Sequence, residues 1–176
     1  MNFIIRQEIP SDYPFVFEVV KSAFEDEEYS DHTEHFLVER LRKSIEFIPE
    51  LSLVAVLDNE IVGHILLSPI KIVNKHQSFV SLALAPVSVK PEFQGKGIGS
   101  ALIKGSHKKA IDLGFDSIVL IGHEEYYPRF GYEMISKFNI EIPFDAPAEN
   151  CMILELKKNA LDKVSGKVVY PAAFFG

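Results

Sequence analysis

The sequence of 176 residues has one cysteine, no tryptophan and no apolar run near the 18 residues that mark a membrane-spanning helix. Because Cys151 is alone, an internal disulfide bond is excluded, which favours a reducing, cytoplasmic setting. The opening segment MNFIIRQEIP lacks a basic start followed by a long apolar stretch, so we expect no secretory signal. These absences predict a protein without a membrane partner.

A surplus of positive charge is also absent. The chain has 18 Lys and Arg against 25 Asp and Glu, a formal net charge of −7. Phosphate contacts carry most of the affinity of general nucleic-acid binders, so we expect no nucleic-acid partner, although a local basic group can still hold one small polyanion. Hydrophobic residues make up 47% of the chain, which predicts a folded protein. With no linker or repeat, we expect a single domain over residues 1–176.

Short β-branched runs and longer amphipathic runs alternate along the chain and predict an α+β protein. The expected strands are FIIRQ, LSLVAVL, IVGHILLSPIKI, SFVSLALAPVSV, DSIVLIG and the C-terminal pieces FNIEI, CMILELK and GKVVY. Asp58-Asn59-Glu60 predicts a hairpin turn. Pro86 cannot donate a ladder hydrogen bond, so it predicts an interruption or bulge in its strand.

Three helices are expected from the positions of capping residues and of periodic apolar residues. The first begins after the cap candidates Ser11 and Asp12 and runs to about Phe24. The second covers HFLVERLRKS, and ahead of it Asp31 and Glu34 have a spacing similar to that of a capping box. The third follows a glycine-rich turn and ends at Gly114, and a short helix or turn that stops at Gly131 comes later.

The glycine-rich turn is the segment QGKGIGS, Gln94 to Ser100. Its spacing does not fit the dinucleotide fingerprint G-x-G-x-x-G or the P-loop, which disfavours a nucleotide-binding protein. Free N–H groups at a helix start bind anions, glycine lets an anion approach the backbone, and Lys96 adds a positive charge. The residues alone leave two interpretations open, an anion site or a turn whose glycines serve only tight packing.

The order of strand, glycine turn, helix, strand and the segment YYPRFGYE resembles the GNAT superfamily of N-acetyltransferases. That family carries a Q/R-x-x-G-x-G/A turn, which the segment from Gln94 to Gly99 matches in full. The segments FLVERLR, LVAVLDNEIVGHILLSP and MILELKKNAL are similar to a bacterial subgroup of predicted acetyltransferases. The resemblance implies a mixed, mostly antiparallel twisted sheet flanked by helices, with a central split strand pair at the acyl-CoA site.

The same resemblance implies the site residues and the co-substrate, acetyl-CoA. The turn would hold the pyrophosphate of coenzyme A through Gln94, Gly95, Lys96, Gly97, Ile98, Gly99 and Ser100. The backbone of Val87, Ser88 and Val89 would pair with the pantetheine arm, and the Val89 N–H would stabilise the oxyanion. Tyr127, four residues before Gly131-Tyr132, would be the general acid, with its neighbour Tyr126 as the rival.

One departure from the family pattern concerns the cofactor loop. Many members carry an Asn before the catalytic Tyr, whereas His123 and Glu124 occupy that stretch here. The departure keeps a second hypothesis open, a non-catalytic acyl-CoA sensor or partner module on the same fold. If the chain is an enzyme, the resemblance implies transfer of acetyl to a primary amine of a small molecule or protein, by a monomer or homodimer.

The acidic segment FEDEEYSDHTEH holds the candidates for binding the acceptor amine. Its acids predict a solvated loop for the most part, with Glu28 or Glu34 as the residue that could hold or deprotonate a cationic amine. His32 and His35 form H-x-x-H without a third ligand, so no metal is expected. Cys151, in an apolar strand, is interpreted as a core residue and not as a nucleophile.

Overall fold

The computed structural model describes residues 2–176, which divide into two compact units. The first unit comprises Met1–Ser68, Ala85–Lys109 and Ala172–Gly176, and the second comprises Pro69–Leu84 and Ala110–Pro171. The division falls within two strands and one helix, so each of these elements contributes residues to both units.

Nine strands form one sheet over the described residues. They are β1 Phe3–Gln7, β2 Ser52–Leu57, β3 Glu60–Val73, β4 Ser78–Val89, β5 Ser117–Ile121, β6 Glu133–Met134, β7 Ile140–Glu141, β8 Cys151–Glu155 and β9 Gly166–Val169. The order is β1-β2-β3-β4-β5-β8-β6, and β9 pairs with β3 and β7. The β4/β5 and β7/β9 pairs are parallel, and the other registered pairs are antiparallel.

Three α-helices accompany the sheet: α1 Tyr13–Phe24, α2 Glu34–Lys43 and α3 Ile98–Asp112. The predicted fold class, a mixed and mostly antiparallel sheet flanked by helices, is confirmed. The two-residue turn at Asp58 and Asn59 has positive φ at both positions, 49° and 65°, as a tight hairpin requires.

The predicted helix caps are confirmed at one helix and wrong at the other. Asp12 is the N-cap residue of α1 as predicted, although its carboxylate accepts hydrogen bonds from Arg6 (2.6 Å) and from the backbone N–H of Ile9 (2.9 Å) and none from the helix. Thr33, not Asp31, is the residue before α2. Asp31 accepts from the Thr33 N–H (2.9 Å) and hydroxyl (2.6 Å), so it shapes the loop ahead of the helix.

The first unit has a layered core. Valine and leucine side chains of α1 and α2 pack on β2 and β3 in one cluster: Val16, Val19, Val20, Val38, Leu41, Val54, Ile61 and Leu66. On β3, Gly63 faces α3, because a Cβ there would lie 3.0 Å from Leu102 and 3.2 Å from Ile98. A side chain at Gly63 would therefore push the start of α3 away from the sheet.

Pro86 does not interrupt β4, contrary to the prediction. The strand continues from Ser78 to Val89, and the Ala85–Pro86 peptide bond is cis. Burial alternates beyond this bond: Pro86 and Ser88 are buried, whereas Val87 and Val89 are half-buried. The last residues of β4 thus have one face in the core and one face partly open.

The apolar chain end packs into the first unit. Ala173 and Phe174 pack against the α1/α2 cluster, and the Ala173 carbonyl accepts a hydrogen bond from Arg40 Nε at 2.8 Å. No helix among residues 2–176 is long and apolar enough to cross a membrane.

Candidate active site

The end of β4 presents backbone groups on the edge that does not face β3. The Lys90 N–H donates to the Val62 carbonyl at 2.9 Å, so alternate residues from Lys90 toward Ser88 face β3. Val87 and Val89 then direct their N–H and C=O groups to the opposite edge. On that edge β5 registers with Leu82 and Ala83 only, among the residues that the structure describes.

Side chains of the following turn fix the end of this strand. Gln94 donates from Nε2 to the Val89 carbonyl at 3.2 Å. Lys96 donates from Nζ to the Glu92 carbonyl at 2.8 Å and lies 5.1 Å from the centre of the Phe93 ring. Each side chain thus holds a backbone carbonyl of the turn by a hydrogen bond, and the Lys96 amino group lies beside the turn.

Gly95 and Gly97 are glycines because of their backbone conformation, not because of packing. Their φ angles are +71° and +83°, in the left-handed region that other residues rarely adopt. A Cβ built on either residue meets no heavy atom within 4 Å. The tight-packing interpretation therefore fails at these two positions, and the open space above them leaves the backbone accessible.

Helix α3 starts directly after this turn. The Ala101 N–H donates to the Gly97 carbonyl at 3.0 Å and is the first donor of the helical ladder, so the N–H groups of Ile98, Gly99 and Ser100 have no acceptor within the helix. Ile98 itself is buried and anchors the helix in the core, whereas Gly99 and Ser100 are half-buried. A 15-residue helix that begins with free N–H groups attracts an anion at its start.

Tyr127 lies in the second unit at the start of the 3-10 helix Tyr127–Phe130. Its ring lies so close to Gly122 that a Cβ there would come 2.3 Å from Tyr127 Cε2. The Tyr132 ring is 5.8 Å away, centre to centre. Burial, and then the neighbouring Tyr126, raise the pKa of Tyr127 above its usual range, so the hydroxyl is a proton donor at neutral pH.

Tyr126 has a different environment from Tyr127. It is half-buried, and the Arg129 guanidinium lies 4.3 Å from the centre of its ring. The two tyrosine rings meet edge to face, with their centres 5.1 Å apart. His123, on the stretch where the family carries Asn, is exposed, and its carbonyl accepts the Tyr126 N–H at 3.1 Å.

The two acidic candidates of the N-terminal loop differ in their surroundings. Glu28 is exposed, whereas Glu34 is half-buried at the start of α2. The Ser30 hydroxyl donates to Glu34 Oε1 and accepts the His32 N–H at 2.8 Å. Glu34 Oε2 is shielded from solvent, and no group among residues 2–176 hydrogen-bonds to it.

The histidines of H-x-x-H do not meet at a metal site. The exposed His32 ring bonds the Phe24 carbonyl through Nδ1 at 2.7 Å, while His35 is buried against the rings of Phe17 (4.7 Å) and Phe36 (4.2 Å). Within residues 2–176 no group of three or more His, Cys, Asp or Glu side chains could hold a metal ion. Cys151 is buried, and burial raises the pKa of its thiol, in agreement with a core role.

A buried polar network in the first unit was not found from the sequence. The Arg42 guanidinium pairs with the Glu8 carboxylate, and the Ser52 hydroxyl donates to Glu8 Oε2 at 2.7 Å. His64 Nε2 lies 3.0 Å from Ser52 Oγ. The sequence indicates this network only weakly. Ser52 and His64 are polar residues within otherwise apolar strands, and a buried polar side chain needs a hydrogen-bond partner.

Comparisons with known proteins identify the class to which this fold and site belong. The YhbS protein of Escherichia coli, a GNAT family N-acetyltransferase solved in complex with CoA, superposes with a TM-score of 0.89 at 25% identity, over 100% of this chain and 93% of that one. A GNAT family acetyltransferase from Brucella melitensis, solved with acetyl-CoA, superposes with a TM-score of 0.81 at 32% identity, over 98% of both chains. The class is therefore that of the acyltransferases.

The sequence comparisons give the family. The profile of the acetyltransferase (GNAT) family matches residues 14–132. The uncharacterized N-acetyltransferase YhbS of Escherichia coli K12 is 26% identical over 172 residues, 97% of this chain and 98% of that protein. The uncharacterized N-acetyltransferase YjhQ of the same strain is 38% identical over 85 residues, 48% of this chain and 47% of its own length. The chain belongs to the GNAT acetyltransferase family.

Proposed function

We propose that the protein is an acetyl-CoA-dependent N-acetyltransferase that acts on a primary amine of a small molecule or protein. The observation that carries the proposal is the turn at Gly95 and Gly97, where positive φ angles and open space leave the backbone N–H groups accessible at the start of α3. Such a turn suits a diphosphate. The solved relatives were captured with CoA and with acetyl-CoA, which supports the same ligand here.

The last residues of β4 have the backbone groups that an extended pantetheine arm needs. Val87 and Val89 point their N–H and C=O groups away from β3, so an extended ligand could add to this edge as a strand would. Ser88 lies between these two residues with its backbone groups toward β3 and its side chain buried, so it does not bond to the arm directly. The Val89 N–H then stabilises the oxyanion that forms on the thioester carbonyl.

The proposed reaction needs no covalent enzyme intermediate. The neutral acceptor nitrogen attacks the thioester carbonyl carbon, a C–N bond forms, and the C–S bond breaks with its electron pair on sulfur. Tyr127 donates its hydroxyl proton to that sulfur. The acceptor nitrogen releases its proton to solvent, and the tyrosine oxygen takes up a proton from solvent. The site contributes by positioning two reactants and by stabilising charge.

Glu34 is the better of the two acidic residues for holding the acceptor as a cation, which must lose one proton, to Glu34 or to solvent, before the neutral nitrogen attacks. One of its carboxylate oxygens is fixed by Ser30, and the other is shielded from solvent and accepts no hydrogen bond from residues 2–176. A buried acceptor without a donor is costly, and an ammonium group would satisfy it. Glu28, exposed in the same loop, has no such feature.

This pair of acids provides its own control. We expect Glu34→Gln to raise the KM for the amine at least tenfold, since one charge-assisted hydrogen bond is lost, with the KM for acetyl-CoA unchanged. We expect Glu28→Gln to leave both constants unchanged. Equal effects of the two substitutions on the amine KM would remove Glu34 from the acceptor site.

The function is tested by acetyl-CoA-dependent release of free thiol with a panel of primary amines, alongside calorimetric titration with acetyl-CoA. We expect saturable binding and thiol release with at least one class of amine. Binding of CoA without transfer to any amine would favour the second candidate, an acyl-CoA sensor, which the missing Asn before Tyr127 supports. Failure to bind either CoA or acetyl-CoA at millimolar concentration would overturn both.

A further inference from the structure

The buried network around His64 has a determined proton arrangement. Ser52 has one hydroxyl proton, and it is donated to Glu8 Oε2 at 2.7 Å. The Ser52 oxygen must then accept the hydrogen of His64 Nε2, 3.0 Å away. Burial, and then the charge of Arg42, lower the pKa of His64 from 6.5 to about 3, so the ring is neutral and Nδ1 carries a bare lone pair.

Two orphaned polar atoms lie in this part of the first unit. His64 Nδ1 is fully buried and has no hydrogen-bond partner among residues 2–176. The hydroxyl of Ser88 is also buried without a partner, at 2% exposure of the residue. The first atom is an acceptor and the second can donate, so they are complementary, and leaving either one buried and unpaired is unfavourable.

The strand register brings the two residues together. The Lys90 N–H bonds the Val62 carbonyl, so Lys90 lies opposite Val62. Counting two residues along each antiparallel strand from this pair places Ser88 opposite His64. The Ser88 carbonyl oxygen lies 3.1 Å from the Cβ position of Gly63, which agrees with this register. Residues directly opposite each other point to the same face, with Cβ atoms about 4.5–5.5 Å apart, a span that one side-chain hydrogen bond can bridge.

We propose that His64 is a positioning residue for the acyl-CoA strand and that its Nδ1 accepts a hydrogen bond from the Ser88 hydroxyl. The two atoms are not hydrogen-bonded in the structure, so the Ser88 side chain must rotate about χ1 to form this bond. The chain of bonds then runs from Ser88 through His64 and Ser52 to the ion pair of Glu8 and Arg42. It fixes β4 at the residue between Val87 and Val89, whose backbone groups receive the pantetheine arm and the oxyanion. This role rests on the proposed function, whereas the hydrogen bond itself does not.

The hydrogen bond is tested by nitrogen NMR of the His64 ring, without any ligand. We expect the Nε2–H tautomer in the wild-type protein and a downfield shift of the Nδ1 resonance in Ser88→Ala, toward that of an unbonded ring nitrogen. Ser81→Ala is the matched control, because Ser81 is a buried serine of the same strand that bonds Ser117 instead, at 2.7 Å. An Nδ1–H tautomer, or an Nδ1 resonance unchanged in Ser88→Ala, would overturn the pairing.

The positioning role is tested by the affinity for acetyl-CoA. We expect Ser88→Ala to weaken it about threefold to tenfold, the effect of one hydrogen bond, and Ser81→Ala to leave it unchanged. His64→Asn keeps an acceptor at the Nδ1 position and should retain more affinity than His64→Gln, which keeps a group only at the Nε2 position. Equal affinities of all these variants would remove the positioning role. A wild-type protein that binds no acetyl-CoA would refute the proposed function, while the NMR result would still decide the hydrogen bond.

Discussion

At the scale of single residues, burial keeps both Tyr127 and His64 in their uncharged forms. Burial raises the pKa of the Tyr127 phenol and lowers the pKa of the His64 imidazole. A buried phenol holds its proton for donation. A buried neutral histidine can serve as donor at one nitrogen and acceptor at the other, as its contact with Ser52 requires.

The general acid is tested by two adjacent substitutions. We expect Tyr127→Phe to lower kcat about 100-fold with the Kd for acetyl-CoA nearly unchanged, because only the donated proton is removed. Tyr126→Phe, which changes the half-buried neighbour, is expected to keep kcat close to wild type. Steady-state kinetics and calorimetry of both variants decide the matter, and a large loss in Tyr126→Phe alone would reverse the assignment.

The buried histidine makes stability depend on pH. An unfolded His64 binds a proton below pH 6.5, whereas the folded one does so only near pH 3, so stability is full above pH 6.5 and declines as the pH falls toward 3. The expected loss from this residue is about 2 kcal/mol at pH 5.

Urea unfolding between pH 4 and 7 measures this dependence. We expect His64→Gln to flatten the slope of the unfolding free energy against pH. His107, whose pKa burial lowers to about 4, contributes to the slope that remains, as do Asp12 and Asp31, whose pKa values hydrogen bonds lower. An identical slope in wild type and His64→Gln would show that His64 titrates over the same pH range in the folded and the unfolded protein.

At the scale of elements, α2 is joined to the first strands by one buried ion pair. The Arg42 side chain is 7% exposed and that of Glu8 is 1% exposed. Arg42 also lies 4.0 Å from the centre of the Tyr13 ring on α1. Removing the cation leaves a buried carboxylate without compensation, and that loss is larger than the net value of the pair.

We therefore expect Arg42→Met to lower the free energy of unfolding by about 3–5 kcal/mol. The matched control is Arg6→Met, which breaks the pair with Asp12. Arg6 is 36% exposed, and Asp12, although only 8% exposed, keeps the hydrogen bond from the Ile9 N–H, so we expect a smaller loss of about 1 kcal/mol there. Urea denaturation of the two variants measures both values, and similar losses would mean that the Arg42 pair is hydrated in solution.

The elements also show where sequence reasoning succeeds. The strand Phe3–Gln7, the end of α1 at Phe24 and the left-handed Gly131 follow from local periodicity and backbone preference, and all three are confirmed. The second helix on HFLVERLRKS is confirmed as α2, but the residue before it is Thr33, and Asp31 bonds the loop instead of capping the helix. Pro86 within a continuous strand could not be foreseen, since a proline in a strand predicts a break.

At the scale of the whole molecule, the family was predicted from one turn and its flanks, and it is confirmed. The network around Glu8 was not predicted, because Glu8 and His64 are distant in sequence and meet only through strand register. The roles of Tyr127, Val89 and the turn residues stay predictions, as does the single domain over residues 1–176.

The central claim, that the glycine turn holds the diphosphate of coenzyme A, is tested most directly by calorimetric titration of CoA into wild type and Gly97→Asn. Asparagine tolerates the left-handed φ of +83°, so we expect a stability loss of about 1 kcal/mol or less, but its side chain enters the open space above the turn. The account predicts binding by the wild type and at least a tenfold weaker affinity in the folded variant. Equal affinity of the two proteins, or no binding by the wild type, would contradict it.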